Sequence, residues 1–203
     1  SLYLPGHRRL AYPNGDQYEG SFLKSSPHGF GKYFYSNGST YEGDMWKGEK
    51  HGKGKMRFRG GDEYTGEFRE GEITGQGVYK YANGDQFDGS FVKGKKEGQG
   101  SLQKTSGAYY KGQWKNNMRE GFGQSLMSNG DRYEGEWKGD RREGRGTYTH
   151  LDGNRYTGQF RQDQFDGTGI YYYSDGMTSR VEHLQGKKIK EEPLSQGYAR
   201  PED

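Results

Sequence analysis

The chain has 203 residues, of which 27% are apolar, 15% aromatic and 29% charged, with 37 glycines, no cysteine and a formal net charge of +3. Low hydrophobicity with high charge usually marks disorder, but disordered chains are poor in aromatics, and no apolar run approaches the ~20 residues of a membrane-spanning helix. The missing cysteine excludes disulfides and thiolate metal sites, and acids interleaved with bases exclude the footprint of a nucleic-acid binder.

Residues 1–17 contain a half unit. Gly6, Leu10, Tyr12, Asn14 and Gly15 stand in the register of the repeat that begins at Tyr18, and are expected to cap the first edge of an array. From there seven aromatics recur at an interval of 23 without insertion: Tyr18, Tyr41, Tyr64, Phe87, Tyr110, Tyr133 and Tyr156. A fixed period in the twenties is the mark of units that bury their apolar faces only against their neighbours.

With each aromatic counted as position 1, glycine fills positions 3, 12, 14 and 21 of every unit, as Gly43, Gly52, Gly54 and Gly61 do in the second. Position 8 reads Ser25, Gly48, Gly71, Gly94, Asn117, Asp140 and Asp163. Gly, Asn and Asp tolerate a left-handed backbone best, so this column marks a turn. Glycine at this density would cost a helix about 1 kcal/mol at each occurrence, and no apolar spacing of three and four persists, so the chain reads as all-β.

Positions 1 to 6 alternate apolar or small with polar, as in Tyr133-Glu134-Gly135-Glu136-Trp137-Lys138. A second alternation follows the Gly-x-Gly step, as in Met56-Arg57-Phe58. Each unit is therefore expected to be a β-hairpin with its tip near positions 7 to 11, joined to the next by Asn-Gly or Asp-Gly turns such as Asn37-Gly38 and Asp152-Gly153. The expected architecture is a single-layer, elongated, twisted ribbon of tandem β-hairpins. Its aromatics at positions 1 and 5 close over glycine into ladders and leave a curved aromatic groove.

After Gly176 the pattern decays. Ser179 and Val181 stand where an aromatic and a glycine belong, Gly186 keeps the register, and the run from Lys187 to Pro193 is polar. The organisation expected is a half repeat or cap at 1–17, seven repeats at 18–178, and a degenerate repeat with a polar C-terminal tail at 179–203.

The units Tyr41-Glu42-Gly43…Gly48…Gly52-Lys53-Gly54 and Tyr133-Glu134-Gly135-Glu136-Trp137…Gly144-Arg145-Gly146 resemble MORN repeats (membrane occupation and recognition nexus), over residues 6 to about 178. Seven units in phase make the resemblance specific. It implies a non-enzymatic scaffold or adaptor of cytoskeletal assemblies, cilia and flagella included, with a helix or extended segment of a protein partner lying in the groove. The alternative it implies is a peripheral membrane tether that binds anionic phospholipid. Some members dimerise through their last repeats, which implies a homodimer through the C-terminal end.

The same residues offer no pattern of catalytic or metal-binding chemistry. Gly89-Ser90-Phe91-Val92-Lys93-Gly94-Lys95-Lys96 imitates a phosphate-binding loop, but Lys96 replaces the hydroxyl residue that would reach magnesium, and no strand-to-helix context surrounds it. His7, His28, His51, His150 and His183 lack ligand spacing, and no Ser/His/Asp order stands apart from the repeat. The expectation is no catalytic residue, no metal, no cofactor and no enzyme, in a soluble protein of the cytoplasm or cytoskeleton.

The candidate partner-binding groove is the bulky set of repeats 2 and 3: Tyr41, Met45, Met56, Phe58, Tyr64, Phe68, Tyr79 and Tyr81. A single layer has no second sheet to cover such a strip, and long apolar strips mark binding surfaces. Lys104 stands where repeats 1 and 3 carry tyrosine, which centres binding on the first half of the chain. The candidate lipid-binding tips are Lys50, Lys95, Lys96, Arg119, Arg141 and Arg142, each worth about 1 kcal/mol at an anionic surface. Glu97, Glu120 and Glu143 beside them blunt the field.

Overall fold

The computed structural model describes residues 6–195, and residues 1–5 and 196–203 lie outside that range. Only strands, turns and bends occur among the described residues, so the all-β array of hairpins is what forms. The chain divides into two compact units, residues 1–105 and 106–203.

The first unit holds β1 (His7–Ala11), β2 (Gln17–Leu23), β3 (Ser26–Phe34), β4 (Thr40–Trp46), β5 (Glu49–Arg57), β6 (Glu63–Arg69), β7 (Glu72–Lys80), β8 (Gln86–Val92) and β9 (Lys95–Gln103). Each pairs antiparallel with its chain neighbour in a single layer. The second holds β10 (Tyr109–Lys115), β11 (Met118–Leu126), β12 (Arg132–Lys138), β13 (Arg141–Thr149), β14 (Arg155–Arg161), β15 (Gln164–Tyr172), β16 (Thr178–Leu184) and β17 (Lys187–Ser195), paired in the same way.

The hairpin of β4 and β5 shows why the columns are strict. Tyr41 faces Met56, Gly43 faces Gly54 and Met45 faces Lys50 across the pair. The Tyr41 ring lies flat on the two glycines, and a β-carbon at Gly54 would stand 2.4 Å from Tyr41 Cε2. Its hydroxyl donates to the Asp44 carbonyl at 2.6 Å, so the polar end of a side chain only 1% exposed is satisfied.

These rings interlock along each unit. Tyr64 packs edge-to-face on Phe68 at 5.2 Å and on Phe91 at 5.3 Å, and Tyr110 does the same with Trp114 and Trp137. A position 1 ring is thus held between the position 5 rings of its own and the next repeat. Burying each such side chain contributes on the order of 1.5–3 kcal/mol, and ladders of this kind are the core.

The turns differ from expectation. The hairpin tip is only two residues, positions 7 and 8, with φ of 49° at Lys47 and 89° at Gly48, and the chain is strand again from Glu49. Two positive φ values in a row suit the right-handed twist of the flanking strands. The Gly-x-Gly step therefore lies inside the second strand. Gly52, with φ of 59°, sits in a bulge that shifts the register between Gly43 and Met45, and the Asp44 carboxylate accepts the Lys53 N–H beside it.

The Asn-Gly connections are not two-residue turns. The Gly38 N–H donates to Tyr35 and the Tyr35 N–H to Ser39, which makes a three-residue loop ending in a left-handed glycine with φ of 91°. An aspartate after this glycine ties one repeat to the next: Asp62 accepts the Ala82 N–H at 2.8 Å and the Tyr79 hydroxyl at 2.6 Å.

The segment from Lys187, expected to be a polar tail, is β17 as far as Ser195, and pairs with β16 into a further hairpin. Ser179 and Val181 exchange sizes: the small residue takes the place of the ring, and Val181, 1% exposed, fills the space over the position where glycine stood. The polarity of β17 is that of an edge strand, in which Lys187, Lys190, Glu192 and Pro193 discourage further pairing. The rest of that expected tail, residues 196–203, lies outside the described residues.

Candidate partner-binding face

Strand alternation puts positions 1, 3 and 5 of the first strand and 10, 14, 16 and 18 of the second on one face. The structure divides the expected groove set in two. Tyr41, Met45, Met56, Tyr64 and Phe68 are all buried, at 1%, 4%, 7%, 0% and 3% exposure. They are the floor of the face. Their hydroxyls are also in use, since Tyr64 donates to the Glu67 carbonyl at 3.1 Å as Tyr41 does to Asp44. The sequence could not separate floor from surface, because both are bulky apolar residues on one face and position 16 serves both, as floor at Met56 and as surface at Tyr79.

Phe58, Tyr79 and Tyr81 are half-buried and stand above that floor. They belong to a row at positions 16 and 18 that begins with Tyr12, Tyr33 and Tyr35, which the sequence reading did not single out although they occupy the same columns. Centroids are 5.7 Å apart for Tyr12–Tyr33, 4.6 Å for Tyr33–Tyr35, 5.9 Å for Phe58–Tyr79 and 4.7 Å for Tyr79–Tyr81. In the second unit Tyr148, His150, Tyr171 and Tyr173 repeat the arrangement.

Aspartates fix the row from below. Tyr33 donates to Asp16 at 3.0 Å, Tyr79 to Asp62 and Tyr148 to Asp131, each at 2.6 Å. Burial first, and the adjacent carboxylate second, push these phenols up, Tyr148 to about 12 and the other two further. Tyr33 and Tyr79 stay partly exposed while their polar ends are held, whereas Tyr148 is buried under the Arg142 guanidinium.

The cations are not a strip of tips. Positions 9 and 10 lie in the second strand, whose side chains alternate between faces, so in the first unit Lys95 points away from Lys50 and Lys96, and in the second Arg141 points away from Arg119 and Arg142. The position 10 cations lie over the aromatic face. Lys96 Nζ is 5.2 Å from the Tyr81 centroid, the Arg119 guanidinium 4.2 Å from that of Trp137, and the Arg142 guanidinium 5.1 Å from that of Tyr148. Glu120 and Glu143 accept the N–H groups of Gly139 and Gln162 in the next tip, each at 2.9 Å.

Among the described residues no group of His, Asp or Glu is placed to hold a metal ion. His183 replaces a position 5 ring and packs on Tyr156 at 5.4 Å, where burial pulls its pKa down and favours the neutral imidazole.

With this geometry in view, comparison with known proteins assigns the class. The MORN repeat profile matches residues 18–40, 41–63, 64–86, 87–109, 110–132, 133–155 and 156–178, end to end. The chain belongs to the MORN repeat family. The search of curated proteins returned no match.

Among solved structures, the chain is similar to the TCP domain of SAS-4 (dCPAP) of Drosophila melanogaster in complex with a proline-rich motif of Ana2 (dSTIL). That match has 14% identity, 91% of this chain and 94% of that one covered, and a TM-score of 0.49. It is also similar to the G-box domain of the microcephaly protein CPAP, at 14% identity, 92% and 98% coverage and a TM-score of 0.37. A third is the TCP10 domain of Danio rerio CPAP in complex with a peptide of Danio rerio STIL, at 15% identity, 92% and 99% coverage and a TM-score of 0.33.

Proposed function

We propose that the chain is a non-enzymatic scaffold or adaptor that holds a protein partner, an amphipathic helix or an extended segment, on the half-exposed aromatic row. One observation carries this reading: Tyr33, Tyr35, Phe58, Tyr79 and Tyr81 stand stacked and only partly covered on a rigid, fully buried floor. Rings already held in place lose little freedom on binding, and tyrosine is enriched among residues that dominate interfaces. Membership of the MORN family agrees with a linking role in a cytoskeletal assembly of the cytoplasm, a cilium or a flagellum. The test is a pull-down from a cytoskeletal fraction with the wild type and a Tyr79→Ala/Tyr81→Ala variant. A partner retained by the first and lost by the second supports the reading, and the same proteins retained by both overturn it.

A second reading rests on the hairpin ends of the first unit. Leu23, Trp46 and Val92 at position 6 are 46%, 51% and 51% exposed, and each is followed by a lysine at the turn: Lys24, Lys47 and Lys93. Exposed apolar groups beside cations suit an anionic phospholipid surface, and this set stands in place of the six cations expected from the sequence. Sedimentation with phosphatidylcholine vesicles containing phosphatidylserine decides it. Loss of sedimentation in Trp46→Ala favours the membrane, and a wild type that stays in the supernatant ends this reading.

Self-association through the C-terminal end has less support, because the charged edge of β17 opposes it. Light scattering on the full chain and on one ending at Gly153 settles the matter: a dimer lost on truncation sustains it, and two monomers end it.

A further inference from the structure

Position 10 of the second unit carries cations with carboxylates built in beside them. Arg119 Nε donates to Asp140 at 3.1 Å and Arg142 Nε to Asp163 at 3.2 Å, each aspartate standing at position 8 of the following repeat. Lys188, in the same column, pairs with Glu191. Lys50 occupies this column in the first unit, but position 8 of its following repeat is Gly71. A β-carbon built at Gly71 would meet no atom within 4 Å, so the space from which Asp140 and Asp163 reach their arginines is open there.

Lys50 is left among rings. Its ammonium lies 5.6 Å from the Tyr35 centroid and 5.8 Å from that of Phe68, and donates to the Tyr35 hydroxyl at 3.4 Å. It has no carboxylate partner among the described residues, and the Tyr35 O–H has no acceptor there. Two donors converge on one opening of the aromatic row.

We infer that Lys50 and Tyr35 receive one carboxylate, an Asp or Glu side chain of the segment bound on the aromatic row, in the space beside Gly71. This rests on the reading of that row as a partner surface. A carboxylate fits better than a phosphate, because one ammonium and one phenol supply a single positive charge and the equivalent cations Arg119 and Arg142 are each satisfied by one carboxylate. Burial pulls the Lys50 pKa down, as it does for a cation without a counter-ion, and an incoming carboxylate relieves that cost. One acid set among apolar anchors would also fix the register of the bound segment.

The test is selection of displayed random amphipathic peptides on the full chain, on Lys50→Met and on Gly71→Asp. Both variants keep the fold's own precedents: Ile73 is an apolar residue in the Lys50 column, and Asp163 holds φ of 70° in the Gly71 column. Peptides selected on the wild type are expected to carry Asp or Glu at a fixed offset from their apolar anchors. Changing that acid to its amide should weaken binding to the wild type about tenfold, and to either variant by less than about twofold. Bound peptides without acidic preference, or an acid that matters equally to Lys50→Met, overturn the inference and leave the row as a binding face. No selected peptide at all overturns both. Loss in Lys50→Met of binding to phosphatidylserine vesicles or inorganic phosphate, with no change for peptides, assigns the cation to those anions and also overturns it.

Discussion

Tyr41 Cε2 lies 2.4 Å from the point where a β-carbon on Gly54 would stand, so ring and glycine occupy one space between them. The same holds at Gly100, where the added carbon would stand 2.4 Å from Phe87 Cζ. Gly54→Ala and Gly100→Ala should each cost about 2–4 kcal/mol, because the ring is locked between its neighbours and cannot yield. Gly60, with nothing within 4 Å and no positive φ, is the control. Denaturant midpoints for the three variants check this, with Gly60→Ala within about 0.5 kcal/mol of the parent.

Position 1 tyrosines donate to the carbonyl three residues on, as Tyr64 does to Glu67 and Tyr133 to Glu136 at 2.8 Å. Tyr133→Phe should therefore lose about 1 kcal/mol, the ordinary worth of a satisfied hydrogen bond. Phe87 has no hydroxyl for the equivalent carbonyl, that of Ser90, so Phe87→Tyr should gain a similar amount. Thermal melts of both variants read the two signs.

Alkaline pH should unfold the protein through these same phenols. Burial pushes Tyr18, Tyr64 and Tyr110 up to about 12. A phenol whose folded pKa is raised keeps its full stabilisation below its unfolded value, near 10, and loses it as pH rises through the folded one. Urea midpoints should hold steady up to about pH 9.5 and then fall towards about pH 12, in step with tyrosinate absorbance.

Asp62 joins two repeats by accepting the Ala82 N–H and the Tyr79 hydroxyl. Asp62→Ala should cost about 1–2 kcal/mol, since a charged acceptor is lost but Ala82 lies near water. It should also loosen the Tyr79 ring, which aromatic NMR linewidths would register.

The period, the hairpins and the glycine-backed core were legible because a ring lying on a glycine pair admits neither a smaller residue at the ring position nor a larger one at the glycine positions, so the columns of Tyr41, Gly43 and Gly54 hold an aromatic and two glycines in all seven repeats. The rest stayed hidden because different structural roles look alike in sequence. Gly48, Gly52 and Gly61 all adopt positive φ, yet one is a tip, one a bulge and one a loop end. Tyr41 and Tyr81 are both tyrosines on one face, and only the glycines beneath Tyr41 make it floor. Lys95 and Lys96 are adjacent in sequence but face opposite sides. β17 reads as a tail because an edge strand has one paired side and carries charge.

The central claim, that the half-exposed row is the partner surface, is tested most directly by calorimetric titration of a selected amphipathic peptide. The wild type is compared with Tyr79→Ala/Tyr81→Ala, after melts show that the variant folds. Anchors at a hot spot are worth roughly 2 kcal/mol each, so affinity is expected to fall at least about thirtyfold. Unchanged affinity in that variant, with loss instead in Trp46→Ala on the opposite face, would contradict the claim.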